Sequence, residues 1–87
     1  MALKVIKFSA VWCGPCQMMN PIFDRVAESM EDVEFIKVDI DDDPGMATDY
    51  NIRSVPTIVF EKDGVAVDSM VGLVTEQTLM ERIEGHK

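Results

Sequence analysis

The chain has few side chains of the kind that build structural metal sites: one histidine, His86, and two cysteines, Cys13 and Cys16. Structural zinc takes four ligands, so no such site closes within one copy of the chain, although a cluster shared between two chains stays formally open. Two cysteines in one short motif also exclude a disulfide-dense secreted scaffold and fit a reducing, cytoplasmic compartment. Basic residues are scarce, 8 against 16 acidic ones, for a formal net charge of −8. Such a surface repels nucleic acid and anionic membranes, and it also serves simply to keep a domain in solution. No apolar run approaches membrane-spanning length, and no apolar core follows a basic start as in a secretory signal. Repeats, linkers and low-complexity stretches are missing too. With 87 residues, 47% of them hydrophobic, residues 1–87 are expected to form one domain with one modest core.

What is present is concentrated at Trp12-Cys13-Gly14-Pro15-Cys16. As a staple this pair is badly placed. In the loop-entropy picture so small a ring is worth roughly 2 kcal/mol, against about 5 for a ring of about a hundred residues. As chemistry it is well placed, because two sulfurs at this spacing can alternate between dithiol and disulfide within one turn of chain. Val5-Ile6-Lys7-Phe8 reads as a strand, and Gln17 to Met30 carries Met19, Ile22, Phe23, Val26 and Met30 at helical spacing. The pair therefore lies where a strand ends and a helix begins. Pro15 suits a first helical turn, and Gly14 is expected to let the backbone turn tightly and leave Cys13 uncovered. A thiolate at Cys13 faces the free N–H groups of the helix start, an effect on the order of 1 kcal/mol. Cys16, a turn further in, is expected to be more buried. Those positions make Cys13 the attacking sulfur and Cys16 the resolving one.

The remaining segments alternate. Val33 to Val38 is a β-rich run. Asp43 caps a brief helix opened by Pro44, at the end of an acidic Asp39–Asp43 loop. Thr57 to Phe60 and Val65 to Val67 flank Lys62-Asp63-Gly64, a strong hairpin signal. A last helix follows Thr75, with Leu79, Met80 and Ile83 on one face. The order β-α-β-α-β-β-α implies a small mixed α/β sheet, its first two strands parallel and its last two antiparallel, with helices on both faces.

This sequence resembles the thioredoxins. The resemblance rests on Trp12-Cys13-Gly14-Pro15-Cys16, on Pro21 in the first helix, on Val55-Pro56-Thr57, on Lys62-Asp63-Gly64 and on Val71-Gly72, in matching order and spacing. It runs across nearly the whole chain, although a typical member carries an additional N-terminal strand and helix, so the chain reads as a short form. The resemblance implies a thioredoxin-like fold with a four-stranded sheet of order 2-1-3-4, the Val33–Val38 strand at an edge, and a cis bond before Pro56. It further implies that Trp12, Val55, Pro56 and Gly72 line the substrate groove, with Val55 pairing its backbone to an extended substrate. Without the resemblance, Trp12 is a packed surface indole, Gly72 a bend after a strand and Pro56 an ordinary trans turn. Pro21 interrupts a helix on either reading, the methionines are packing, and His86 is expected to be exposed and uninvolved.

Two departures concern Lys7 and Ser9. Thioredoxins usually carry a buried aspartate where this chain has Lys7, and an aromatic where it has Ser9. Lys7 either supports the thiolate by its charge or buries its stem and sends its ammonium to water or an acidic neighbour. Lys37 matches a lysine that the family also carries, so two lysines share one region.

The resemblance implies a dithiol–disulfide oxidoreductase that reduces protein disulfides and sustains redox homeostasis. It binds no cofactor of its own and is recharged by a thioredoxin-reductase-like flavoenzyme using NADPH and FAD. Disulfide-containing proteins such as a ribonucleotide reductase are the expected substrates, and a monomer the expected state. A glutaredoxin-like or oxidising protein, and a thioredoxin fold kept as an interaction subunit, are the competing readings.

Overall fold

A computed structural model describes residues 2–87. Strand β1 (Leu3–Ser9) sends alternate side chains to opposite sides of the sheet. Leu3 and Val5 join one apolar cluster, and Ile6 and Phe8 join another. Both sets are buried, as a central strand requires. Its neighbours are β2 (Glu34–Asp39), parallel to it, and β3 (Thr57–Lys62), antiparallel to it. Strand β4 (Val65–Val71) pairs antiparallel with β3, giving the sheet order β2-β1-β3-β4. This is the expected order 2-1-3-4, with β2 at an edge. The strands run further than the apolar runs suggested, because backbone pairing continues into polar residues such as Glu61, Lys62 and Asp68.

The hairpin turns at Asp63 and Gly64, whose φ angles are 53° and 85°. Two left-handed residues match the twist of the flanking strands, and glycine takes the second position without a Cβ penalty.

Among the described residues three helices cover the sheet: α1 (Gly14–Ser29), α2 (Pro44–Asp49) and α3 (Glu76–His86). Met19, Phe23 and Val26 of α1, with Leu79 and Ile83 of α3, pack with Leu3, Val5, Ile58 and Phe60. On the opposite face Met46 and Tyr50, from α2 and its end, pack with Ile6, Phe8, Val38 and Val59. Leu79 and Ile83 are fully buried, so truncating either to alanine costs about 2–5 kcal/mol by the usual cavity penalty. The caps are side chains: Asp43 accepts from the Met46 N–H, and Thr75 from the Thr78 N–H. Helix α1 starts at Gly14, three residues before the apolar spacing begins, because Cys13 itself is its N-cap.

Candidate active site

Ala10 follows the end of β1, and its carbonyl accepts the Cys13 N–H at 3.2 Å, turning the chain into α1. Cys13 has extended backbone angles, and its Sγ accepts the Cys16 N–H at 3.2 Å. Pro15 lies in the first helical turn, where its missing N–H has no intrahelical partner to lose. The two cysteines are joined as a disulfide, with Cα atoms 5.2 Å apart. Cys16 is 1% exposed and Cys13 6%. Cys13 is therefore only slightly more open than Cys16, and the expectation that it lies uncovered is corrected: Ala10, Ile40 and Val55 close around the pair. Gly14 is corrected as well. Its φ is not positive, and a Cβ there meets nothing within 4 Å, so neither a tight turn nor crowding requires glycine in the folded chain.

A second segment, just before β3, lies beside the sulfurs. The Val55–Pro56 bond is cis, as the resemblance implied, and the Val55 carbonyl oxygen lies 3.7 Å from Cys13 Sγ. Gly72, at φ 94°, donates its N–H to the Pro56 carbonyl at 2.8 Å, tying this loop to the end of β4. Gly72 thus occupies a left-handed position that L-residues adopt only with strain. Trp12 is 65% exposed, and its indole N–H donates to Asp41 Oδ2 at 2.9 Å. Val11, Met18, Val71 and Leu73 are exposed apolar residues on the segments that carry Trp12, Cys16 and Gly72. Asp41 was not singled out by sequence reasoning. It belongs to the acidic loop between β2 and α2, and nothing local marks it as the partner of an indole 29 positions away.

Lys7 is 1% exposed. Its Nζ donates to Asn20 Oδ1 and lies 5.2 Å from the centroid of the Phe23 ring, so the side chain runs along α1. Its direct partner is an amide oxygen, which corrects the expectation of an ammonium in water or against an acid. Burial pushes the Lys7 pKa down, the charge of Lys37 adds to this, and Asp24 partly opposes it. Lys37 is the neighbour of Lys7 in the parallel register and forms an ion pair with Asp24. The two lysines do share one region: with Ser9, Gln17, Asn20 and Asp24 they line a cavity of about 710 Å³. Asn20 was missed by sequence reasoning, though its place four residues after Cys16 on one helix face was a usable signal.

His86 is the remaining correction. It is half-buried, its Nε2 lies 2.9 Å from Asp68 Oδ2, and its ring is tilted over Phe60 at 5.5 Å. Arg82 binds the same carboxylate oxygen at 2.7 Å, so α3 is fastened to β4 by a three-residue cluster.

Among the described residues, no three or more histidine, cysteine or acidic side chains are grouped to hold a metal ion, and no helix is long and apolar enough to cross a membrane.

A family model described as Thioredoxin matches residues 2–85. The chain belongs to the thioredoxin family. It is 42% identical to thioredoxin 1 of Synechococcus elongatus over 83 residues, covering 94% of this chain and 78% of that protein. Identity to the thioredoxin of Mycoplasmoides gallisepticum is 40% over 80 residues, or 92% of this chain and 80% of that one. The solved thioredoxin of Fasciola hepatica superimposes with a TM-score of 0.93 at 42% identity, over 99% of this chain and 82% of that one. A thioredoxin with a cysteine pair on an α-helix N-terminus is a thiol–disulfide oxidoreductase, and this chain is a protein-disulfide reductase of that type. Its partners are disulfide-containing proteins and a thioredoxin reductase, as the family implies.

Proposed function

We propose that residues 1–87 act as one monomeric, cytoplasmic domain in which Cys13 is the nucleophile and Cys16 the resolving cysteine. The observation that carries this reading is the position of Cys13 as N-cap of α1, its Sγ accepting the Cys16 N–H. Once the pair is reduced, a thiolate at Cys13 is stabilised by that N–H and by the positive end of the helix, on the order of 1 kcal/mol. The Cys13 thiolate attacks one sulfur of a substrate disulfide, forming a mixed disulfide and expelling the first substrate thiolate. Cys16 then attacks Cys13 Sγ, closing the Cys13–Cys16 bond and expelling the second. Two electrons pass from dithiol to substrate.

The groove formed by Trp12, Val55, Pro56 and Gly72 receives the substrate. The Val55 carbonyl beside Cys13 offers backbone pairing to an extended chain, and the exposed indole of Trp12 offers an apolar face. Gly14 and Pro15 present the thiol at the start of the helix, and Lys7 and Lys37 support it from the side of β1 and β2. A flavoenzyme with FAD restores the dithiol at the expense of NADPH, and a ribonucleotide reductase is one substrate of the right chemistry. The test is reduction of insulin disulfides with a thioredoxin reductase and NADPH, compared with glutathione and its reductase. Turnover in the first system and not the second supports the reading; turnover only with glutathione overturns it.

A further inference from the structure

Strand β2 ends the sheet on one side, and its outer backbone groups point away from β1. The Ile40 N–H bonds to the Ser9 carbonyl, so by alternation Glu34, Ile36 and Val38 turn their backbone groups towards β1. Phe35 and Lys37 turn theirs outward, and among the described residues no backbone group pairs with them. This open stretch is closed at both ends. The Val33 N–H is taken by the Met30 carbonyl at 3.3 Å, and the Asp39 carbonyl by the Asp43 N–H at 2.9 Å. The edge at β4 is less regular: its pairing with β3 shifts at Phe60 and Glu61, and the Ser69 N–H bonds to the Asp68 side chain at 2.8 Å.

The side chains around the β2 edge differ between its two faces. Phe35 and Lys37 lie on the α1 side, where Phe35 packs with Phe23 and Lys37 pairs with Asp24. Ile36 and Val38 lie on the α2 side with Met46, and Glu34 shares their face by alternation. The cavity of about 710 Å³ reaches both faces, being lined by Asp24 and Lys37 as well as by Ile36, Met46, Asp42 and Asp43. One face of the edge is therefore acidic over an apolar floor, and the other is apolar beside a lysine.

We propose that the β2 edge is a docking site for an extended segment of a partner protein in which basic and apolar residues alternate. The segment adds as an antiparallel strand, the orientation in which facing residues exchange both of their backbone bonds. Its apolar residues lie opposite Phe35 and Lys37 and bond to their free N–H and C=O groups. Its basic residues fall on the α2 side, one opposite Glu34 and another near Asp42 and Asp43, with their stems along Ile36 and Met46. A second copy of the chain fits this edge poorly. Paired antiparallel about Ile36, it would bring its Glu31 and Asp32 towards the Asp39–Asp43 loop, in a chain of net charge −8. Strands β2 and β3 flank β1 on opposite sides, so the docked segment leaves Val55 and Pro56 uncovered. A partner can be held there while disulfide exchange proceeds.

The test adds a short capped peptide of alternating valine and lysine to the isotope-labelled full chain, followed by NMR. Amide exchange at Phe35 and Lys37 should slow by about tenfold or more at saturation. Ile36 and Val38, already bonded to β1, should change little. Methylating the valine nitrogens, which face β2, should weaken binding by about tenfold or more, whereas methylating the lysine nitrogens, which face away, should not. Asp42→Lys, at an exposed position, should weaken binding by about threefold or more. Equal binding of the valine-methylated peptide, protection confined to other residues, or no saturable binding up to about 1 mM overturns the proposal. So does equal binding of a peptide with glutamate in place of lysine. Concentration-dependent protection of Phe35 and Lys37 without peptide would make a second copy the occupant, which also overturns it. Because the methyl groups are on the peptide, the result stands even if Asp42→Lys fails to fold.

Discussion

The carbonyl oxygen of Val55 lies 3.7 Å from Sγ of Cys13, although 42 positions separate the two residues. Nothing local couples them. They meet because β1 and β3 are antiparallel neighbours: the dithiol follows the end of β1, and Val55 precedes the start of β3, so both segments emerge at one end of the sheet. The nucleophile and the backbone that would hold its substrate therefore come from adjacent strands.

The two cysteines are expected to behave differently. Cys16→Ser should accumulate a mixed disulfide with a protein substrate, visible by mass spectrometry, and Cys13→Ser should accumulate none. In the reduced wild-type protein iodoacetamide near neutral pH should label Cys13 first. Prior labelling of Cys16 would reverse the assigned roles.

Lys7 also shapes stability. A lysine whose folded pKa is lowered opposes folding most strongly below that lowered value, where both states are charged. The penalty fades as pH rises from the lowered value towards the ordinary 10.5, because the unfolded chain then binds more protons than the folded one. Lys7→Met should therefore raise the urea stability at neutral pH by about 1 kcal/mol and flatten its rise on the alkaline side. A loss of stability at neutral pH would show that the bond to Asn20 outweighs the burial of charge.

Tyr50 is the chain's single tyrosine, and its hydroxyl donates to the buried Glu61, whose other oxygen is 4.0 Å from Lys4 Nζ. That bond to Glu61, followed by burial and the nearby carboxylates, raises the Tyr50 pKa. The associated stability is complete below the unfolded value of 10.0 and is lost as pH rises through the folded one. Tyrosinate absorbance in the folded protein should accordingly titrate above 10.0 and move back towards the ordinary value in Glu61→Gln. Tyr50→Phe should cost about 1–3 kcal/mol in urea unfolding, since a buried carboxylate loses its donor.

Asp68 has its pKa lowered chiefly by the bond to His86, then by Arg82 and the Ser69 N–H. A depressed carboxylate stabilises the fold above its unfolded pKa of 3.8, and this is lost as pH falls through the lowered value. Asp68→Asn should cost about 1 kcal/mol at neutral pH, as expected of a half-exposed charge cluster, and should weaken the acid dependence of unfolding. An unchanged acid limb would show that the cluster is already open in solution.

Much of the architecture was legible from the chain. The β-rich apolar runs, the caps Asp43 and Thr75, and Asp63-Gly64 between two such runs are local signals, each decided by a few neighbouring residues. Gly14 misled because glycine permits a conformation that this backbone does not take. The helix start was legible from Pro15, which a first helical turn accommodates, and the structure adds that Cys13 itself is the cap. His86 misled because its partners, Asp68 and Phe60, come from strands brought alongside α3 only in the folded sheet.

By itself the sequence determined that two cysteines lie at a strand-to-helix junction, too close in the chain to serve as an effective staple and suitably spaced for exchange. It also determined the element order and the family, because motif spacing and hydrophobic period survive without coordinates. Only the tertiary structure decided which strand face Lys7 occupies. Both faces of β1 are buried, so a one-residue change in face exchanges the neighbours under α1 for those under α2, and Lys7 was the polar member of an otherwise apolar run. The fold turned it inward against α1, beside Asn20 and one helical turn from Cys16, where burial rather than sequence context determines how tightly it holds its proton.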